Sequence, residues 1–538
     1  MIFDARTLPD GQTIEADICI VGAGVAGIAL AREFIGGKVR VCLLESGGFQ
    51  PDKATQSLYW GKNVGHPYYP LDTSRARFFG GTSHFWHIPL GERRLGGVRL
   101  RPLDPIDFET RDWVPYSGWP FSRSQLDPYY ERALDICRIG PDTFEVGDWE
   151  NPTQTQRLPL DGQRVETTIF QFGVRDPFFT DYRAEIEQSE NVSAYLYSNV
   201  LEVETDEAGR TVTGIRAATL DGKNFQTRAG IYVLALGGIE TPRLMLLSNR
   251  VQSAGLGNEH DLVGRFFMEH PHLWSGIFVP TDPGLFDATG LYRIHEAKGR
   301  AIMGKLTLSE EVVRRERLLN YCASLHPKHL PDPRFQSRAS KGVDSLNAFR
   351  SALGHGELPE GAGEHLSNML GNFPEIAQHV YRKIRRRGKI KVFRLNTMAE
   401  QIPNPESRVS LMTERDPLGQ NRAQLNWQPT TADMRSIIRS QEIIGEELRR
   451  SGLGELYIEL EDDAPPPHLH GGWHHMGTTR MHTDPKKGVV DENSRVHGLA
   501  NLFIAGPSVF PTSGYANPVL TFLALTVRLA DRVKKLLG

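Results

Sequence analysis

Four consecutive apolar residues, Ile18-Cys19-Ile20-Val21, form the first strong pattern in the chain, with no polar position between them. A short run without alternation marks a strand covered on both faces. Gly22-Ala23-Gly24-Val25-Ala26-Gly27 follows at once. Ile28-Ala29-Leu30-Ala31-Arg32-Glu33-Phe34 then reads as a helix, and a second strand over 39–44 ends at Glu45. Residues 190–235 alternate apolar and polar positions with turn signals at 206–210 and Asp221-Gly222, which predicts a β-meander. The run 231–236 predicts a buried strand ending at Gly237-Gly238. Thr241-Pro242 then predicts an N-cap and first helical residue for a helix over 243–248.

The later pattern is less even. Residues 310–395 lack clear alternation, whereas 427–448 read as a strand and then an amphipathic helix. The acidic and proline-rich stretch 461–467 predicts a break. Leu502-Phe503-Ile504-Ala505 is a strand ending at Gly506-Pro507. Asn517-Pro518 predicts an N-cap and first residue for an apolar helix beginning near Val519. Strands alternating with helices put the chain in the α/β class.

Composition narrows the function classes. The 62 Lys and Arg against 65 Asp and Glu leave a net charge of −3, which gives no pull toward nucleic acid or an acidic membrane. The basic run 382–394 shows no obvious interleaving of aromatics and reads as a solvated helix face or strand edge. The four cysteines are far apart with no C-x-x-C pair, so neither a disulfide framework nor a cysteine-ligated cluster is expected. The uncharged stretch 18–31 is too short to cross a bilayer and follows no basic leader. A cytoplasmic location with no membrane partner is the expectation.

The first motif carries chemistry. G-x-G-x-x-G after a strand and opening a helix, with an acid at the end of the next strand, is the dinucleotide fingerprint. Gly22 serves the tight turn, Gly24 lets backbone approach a pyrophosphate, and Gly27 lets helix and strand pack closely. Glu45 would accept hydrogen bonds from the adenosine ribose. The pattern leaves NAD or FAD open, although a Rossmann unit this early in the chain favours FAD. Phe78-Phe79-Gly80-Gly81-Thr82-Ser83-His84-Phe85-Trp86-His87 is a glycine hinge running into aromatics, suited to lie against a flat ring.

The densest histidine cluster spans 468–475. No cysteine or acid falls there at ligand spacing, so no metal is expected. The helix after Asn517 aims its positive end at something, and a flavin ring that takes on negative charge during reduction fits.

Taken together, the chain resembles the glucose–methanol–choline (GMC) oxidoreductases from end to end. The matching pieces are Gly22 through Glu45, Gly80-Gly81-Thr82, Gly237 through Pro242, Val263-Gly264-Arg265 with His270-Pro271, His474-x-x-Gly477-Thr478, and Ser508 through Thr512 with Asn517-Pro518. The resemblance implies FAD-dependent alcohol oxidation. It also implies a Rossmann-like FAD-binding domain assembled from 1–105, 190–275 and 465–538, beside a substrate-binding domain (106–189 and 276–464) with an antiparallel β-sheet. His474 matches the family's catalytic base and Asn517 its second catalytic position. Cofactor contacts are implied at Gly22, Gly24, Val25, Ala26, Gly27, Glu45, Ser46, Gly80, Gly81, Thr82, Ser83, Trp86, Val200, Ala235, Gly237, Gly506, Pro507, Asn517, Pro518 and Val519. His475, His84 and His87 are the candidate substrate contacts. Some relatives attach FAD through a histidine where this chain has Phe85, so non-covalent FAD is expected. No cysteine cluster lies near 165–185, which favours oxygen or a diffusible electron acceptor over an iron–sulfur partner; homo-oligomerisation is left open. The resemblance to pyranose oxidases and glycoside 3-oxidases points to oxidation of a secondary ring hydroxyl, at C2 or C3, of a sugar or glycoside. A non-sugar alcohol is the alternative, and a FAD-containing lyase a more distant one.

Overall fold

A computed structural model describes the chain except residues 91–92, 140–142, 152–154, 174–176, 332, 334–361, 364–366, 369–388 and 461. Most of the basic run 382–394 therefore lies outside the described residues.

The run Ile18–Val21 is a strand near the middle of a six-stranded parallel sheet, flanked by Val41–Leu44 and Ile231–Leu234. Val192–Leu196 and Ile2–Asp4 extend the sheet on one side and Leu502–Ile504 closes the other. All four residues of Ile18–Val21 are buried, as an uninterrupted apolar run between two neighbours requires. The helix Val25–Arg32 packs on this sheet and against Val519–Leu537, and both join one core that also takes in Tyr182 and Phe503. Chain segments far apart in sequence thus build one parallel sheet.

The other large sheet has a seven-strand path in the order Gly454–Ile458, His272–Pro280, Lys389–Ala399, Tyr321–Pro331, Arg300–Leu308, Val165–Phe172 and Arg99–Leu100, all antiparallel. One face packs with the amphipathic helix Thr431–Arg450 into a second core containing Leu395, Ile437 and Ile444. The opposite face carries a smaller cluster of Phe170, Phe172, Met303, Cys322, Met398 and Tyr515. Tyr515, two residues from Asn517, ties that face to the start of the C-terminal helix.

Four expectations need correction. The meander is confined to Asn199–Thr205, Val212–Ala218 and Asn224–Arg228, because Val192–Leu196 joins the parallel sheet. Residues 310–395 do contain long strands, Tyr321–Pro331 and Lys389–Ala399. Their face turned away from the second core carries Ser324, His326, Arg394 and Asn396 beside Cys322 and Met398, which blurs the alternation. The helix expected over 243–248 begins at Gly237, so Pro242 lies inside it. Proline there cannot donate to the carbonyl of Gly238 four residues earlier; the Thr478 hydroxyl donates to that oxygen instead, at 2.7 Å. Finally, Pro518 rather than Asn517 occupies the N-cap of Val519–Leu537.

Candidate active site

A cavity of about 460 Å³ runs from the glycine turn after Ile18–Val21 to His474 and Asn517. Such a volume sits within the range of small-molecule and cofactor sites. Of the residues singled out from sequence, Gly22, Gly24, Val25, Ala26, Glu45, Ser46, Gly81, Thr82, Ser83, Trp86, Val200, Ala235, Gly237, His474, His475, Gly506, Pro507, Asn517, Pro518 and Val519 all line it. Gly27 and Gly80 do not, and each has another task. A Cβ on Gly27 would come within 1.9 Å of the Gly22 carbonyl oxygen, so only glycine lets the helix sit on the turn. The Gly80 N–H donates to the Ala23 carbonyl at 2.8 Å, binding the second glycine loop to the first.

The turn fits a dinucleotide. Gly22 has φ +104° and a Cβ there would press on the Ala235 carbonyl, whereas a Cβ on Gly24 or Gly506 would meet nothing within 4 Å. Empty space over Gly24, beside the N-terminus of Val25–Arg32, is where phosphate oxygens can meet backbone N–H groups. Glu45 accepts from the backbone N–H of Ala23 at 2.9 Å and of Gly47 at 2.8 Å, and burial pushes its carboxyl above the usual range. It holds the turn closed while facing the cavity.

The end of the cavity at His474 and Asn517 is shaped by a strand pairing with a bulge. Met268 pairs with Met476 and His272 with His470, each by backbone bridges. Four steps on one side face six on the other, so the 470–476 segment carries two extra residues. Trp473, with φ +61°, absorbs the excess. Such backbone strain collects where a side chain must be aimed. The neighbours His474 and His475 consequently point to different partners.

His474 is held at both ring nitrogens. Its Nδ1 lies 2.8 Å from Nδ1 of His270, and its Nε2 lies 2.9 Å from Nδ2 of Asn517. His270 Nε2 faces the Ser513 carbonyl at 3.3 Å, an acceptor only, so that nitrogen carries the proton. Burial lowers the His270 pKa to about 4, which keeps the ring neutral and its Nδ1 an acceptor. His474 Nδ1–H therefore donates to His270, leaving Nε2 of His474 unprotonated. Burial first, and then the neighbouring His270, His272 and Arg99, hold His474 well below the ordinary histidine range. Asn517 donates to the free lone pair, and its Oδ1 is buried without a partner. Asn517 spends its side chain on His474, which is why it is not the helix cap.

Beneath this pair lies Glu269, fully buried. It accepts backbone N–H bonds from His270, Gly472 and His474 at 3.2, 3.0 and 3.0 Å, and a short one from the Tyr68 hydroxyl. Burial raises its pKa to about 7 despite these donors. His475 turns to the Tyr68 hydroxyl at 2.9 Å, between the rings of Tyr68 and Phe267, and burial drops it to about 3. His84 and His87 do not line the cavity. The His84 ring is lodged between Phe78 and Phe179 with Nε2 on the Phe79 carbonyl at 3.0 Å, a packing role that its place in an aromatic run conceals.

Sequence reasoning missed Arg77 and Arg99, which line the cavity, and Glu269 and Tyr68, which hold the 472–475 segment behind it. Arg77 lines the nucleotide end with its Nε buried and unpartnered, next to Glu240. Burial opposes the charge on Glu240, yet Arg243, Arg75 and Arg77 hold it down at about 2. The arginines at Arg75 and Arg77, just ahead of the glycine hinge, were the available signal. Among the described residues, no group of three or more His, Cys, Asp or Glu is placed to hold a metal, and no helix is long and apolar enough to cross a membrane.

Residues 403–526 match the family model described as GMC oxidoreductase. Over 97% of its length the chain is 24% identical to the fructose dehydrogenase large subunit of Gluconobacter japonicus, covering 98% of that protein. A segment of 132 residues, 24% of each chain, is 33% identical to a C-glycoside 3-oxidase of Arthrobacter globiformis. Among solved structures, pyridoxine 4-oxidase from Mesorbium loti matches with a TM-score of 0.52 at 17% identity, over 96% of this chain and 99% of that one.

Proposed function

Since the chain belongs to the GMC oxidoreductase family and is a FAD-dependent oxidoreductase of alcohols, we propose that it oxidises a secondary ring hydroxyl of a sugar or glycoside, at C2 or C3, to the ketone. The observation that carries the proposal is the His474–Asn517 pair, with the His474 Nε2 lone pair kept free by His270. FAD, when bound, supplies the two-electron chemistry by accepting the carbinol hydride. Gly22, Gly24 and the first turn of Val25–Arg32 would hold its phosphates, and Val519 at the head of the C-terminal helix would face the ring.

The chain's own residues then have distinct tasks. His474 Nε2 takes the substrate hydroxyl proton as general base, and its low basicity keeps it unprotonated at neutral pH. Asn517 Nδ2, freed when the substrate oxygen takes its place on Nε2, donates to that oxygen as negative charge builds on it. His270 keeps the His474 tautomer fixed. Glu269 fixes the backbone from which His474 projects.

Phe85 lines the cavity where some relatives carry the linking histidine, and His84 is turned away, which supports non-covalent FAD. Acid precipitation should therefore leave a colourless pellet and a yellow supernatant. Oxygen or a diffusible acceptor and a cytoplasmic site of action complete the reading. The test is anaerobic flavin bleaching against sugars, glycosides and simple alcohols, with the product identified by NMR. A ring ketone supports the reading; bleaching by non-sugar alcohols alone overturns it.

A further inference from the structure

Residues directly opposite each other in an antiparallel pair share a face, as do alternate residues along one strand. Arg99 lies opposite Phe172, which lies opposite Ala301; Met303 lies opposite Phe170, and Lys305 opposite Thr168. Met398 lies opposite both Cys322 and His272. Arg99, Lys305 and His272 therefore stand on one face of the large antiparallel sheet. That face looks onto the catalytic end: the His272 ring is 6.2 Å from that of His474, and Arg99 lines the same cavity as His474.

Neither Arg99, which is exposed, nor the buried Lys305 has a carboxylate partner among the described residues, whereas Arg394 on the same face pairs with Glu459. Arg101 pairs with Asp104, Arg111 with Glu400, and Arg243 with Glu240 and Asp416, whereas the buried Arg480, far from this face, pairs with no carboxylate among the described residues. Lys305 is buried, with its ammonium 4.0 Å from the centre of the Phe170 ring and hydrogen-bonded to the Cys322 thiol. Neither replaces a counter-ion, and burying an unpaired ammonium is costly. The positive field reaches the chemistry, since Lys305 disfavours protonation of His270 and His272, and Arg99 that of His272 and His474. His272 Nε2 is also buried without a partner, a further polar atom left for a ligand.

We propose that the substrate alcohol is an anion, carrying a carboxylate or phosphate group that is met by Arg99 and Lys305 on the sheet face beside His474. This rests on the alcohol-oxidation reading and names the charge of its substrate. An incoming anion supplies the missing counter-charge, and two fixed cations on a rigid sheet orient the hydroxyl toward His474 Nε2. The dinucleotide phosphates are provided for separately, at the Gly22–Gly24 turn.

The test compares dissociation constants from anaerobic flavin reduction of the holoenzyme by methyl β-D-glucopyranoside, its C6 carboxylate (methyl β-D-glucopyranosiduronate) and its 6-phosphate. At least one anionic glycoside should bind ten-fold or more tightly than the neutral one. Which of the two does so separates carboxylate from phosphate. That preference should collapse toward unity in Lys305→Met and return in Lys305→Arg; should Lys305→Met fail to fold, Arg99→Met reads the same ratio. Equal constants for all three glycosides, or a Lys305→Met effect of the same size on each, overturn the proposal and leave these cations acting on the flavin instead. If no glycoside bleaches the flavin, it is the sugar-oxidation reading that fails. Titration with acetate and inorganic phosphate, read by the shift in flavin absorbance, then decides the charge question. Saturable binding weakened ten-fold by Lys305→Met upholds the anion site, and no binding overturns it.

Discussion

His270 presents Nδ1 to Nδ1 of His474 at 2.8 Å, and that contact decides which nitrogen of His474 is basic. Two neutral imidazoles can share one hydrogen bond only if one donates. The Ser513 carbonyl fixes His270 as the acceptor, so His474 donates from Nδ1 and offers Nε2. Removing the acceptor should scramble the tautomer without touching the substrate. His270→Leu is expected to slow flavin reduction by about 10-fold or more, and His270→Asn, whose amide oxygen can accept, should recover part of the loss. Stopped-flow reduction across pH checks it: a merely structural role would lower the amplitude of reducible flavin and leave the profile's shape alone.

His474 should set an unusual acid limit. Burial and the nearby Arg99 favour the neutral ring, so protonation that would stop it acting as a base is displaced to below the ordinary histidine range near 6.5. The flavin reduction rate should stay level as pH falls from 8 through 6.5, and decline only below that. A half-maximal rate at pH 6.5 or higher would show that the base is not in this environment.

Glu269 should make stability depend on pH. Its folded pKa, about 7, exceeds the unfolded value, so its contribution is fully present below about 4.5 and is lost as pH rises through 7. The loss amounts to about 3 kcal/mol at most, since each ten-fold change in proton affinity is worth about 1.4 kcal/mol. Denaturant midpoints at pH 5 and 8 should differ less in Glu269→Gln than in the native protein. Equal differences in both would place the carboxyl's titration elsewhere.

The glycine turn offers a paired test. A Cβ at Gly24 meets nothing, while at Gly27 it would collide with the Gly22 carbonyl. Gly24→Ala should fold with an unchanged far-ultraviolet spectrum yet retain FAD at least 10-fold more weakly, because the methyl fills phosphate space. Gly27→Ala should lower the melting temperature of the protein itself. The reverse outcome would mean the cavity over Gly24 is not where the phosphates lie.

Much of the nucleotide side was legible in the sequence because local rules govern it. The strand, the turn glycines and Glu45 sit within one short βαβ unit, and its two strands pair side by side in the parallel sheet. His474 and Asn517 were legible only through motif order, since no periodicity links residues 43 positions apart. Glu269 and Tyr68 were hidden for the same reason: their contacts with the 472–475 segment cross 200 and more residues. The caps were misplaced where tertiary demand overrode local preference. Asn517 gave up the cap to reach His474, and Thr478 let Pro242 lie inside a helix.

The rate of anaerobic flavin reduction in His474→Ala, measured beside the native holoenzyme with one saturating alcohol, tests the central assignment most directly. A slowing of about 100-fold or more, with FAD content unchanged, is the predicted result. Reduction at the native rate would contradict it, and would move the base to another residue of the cavity.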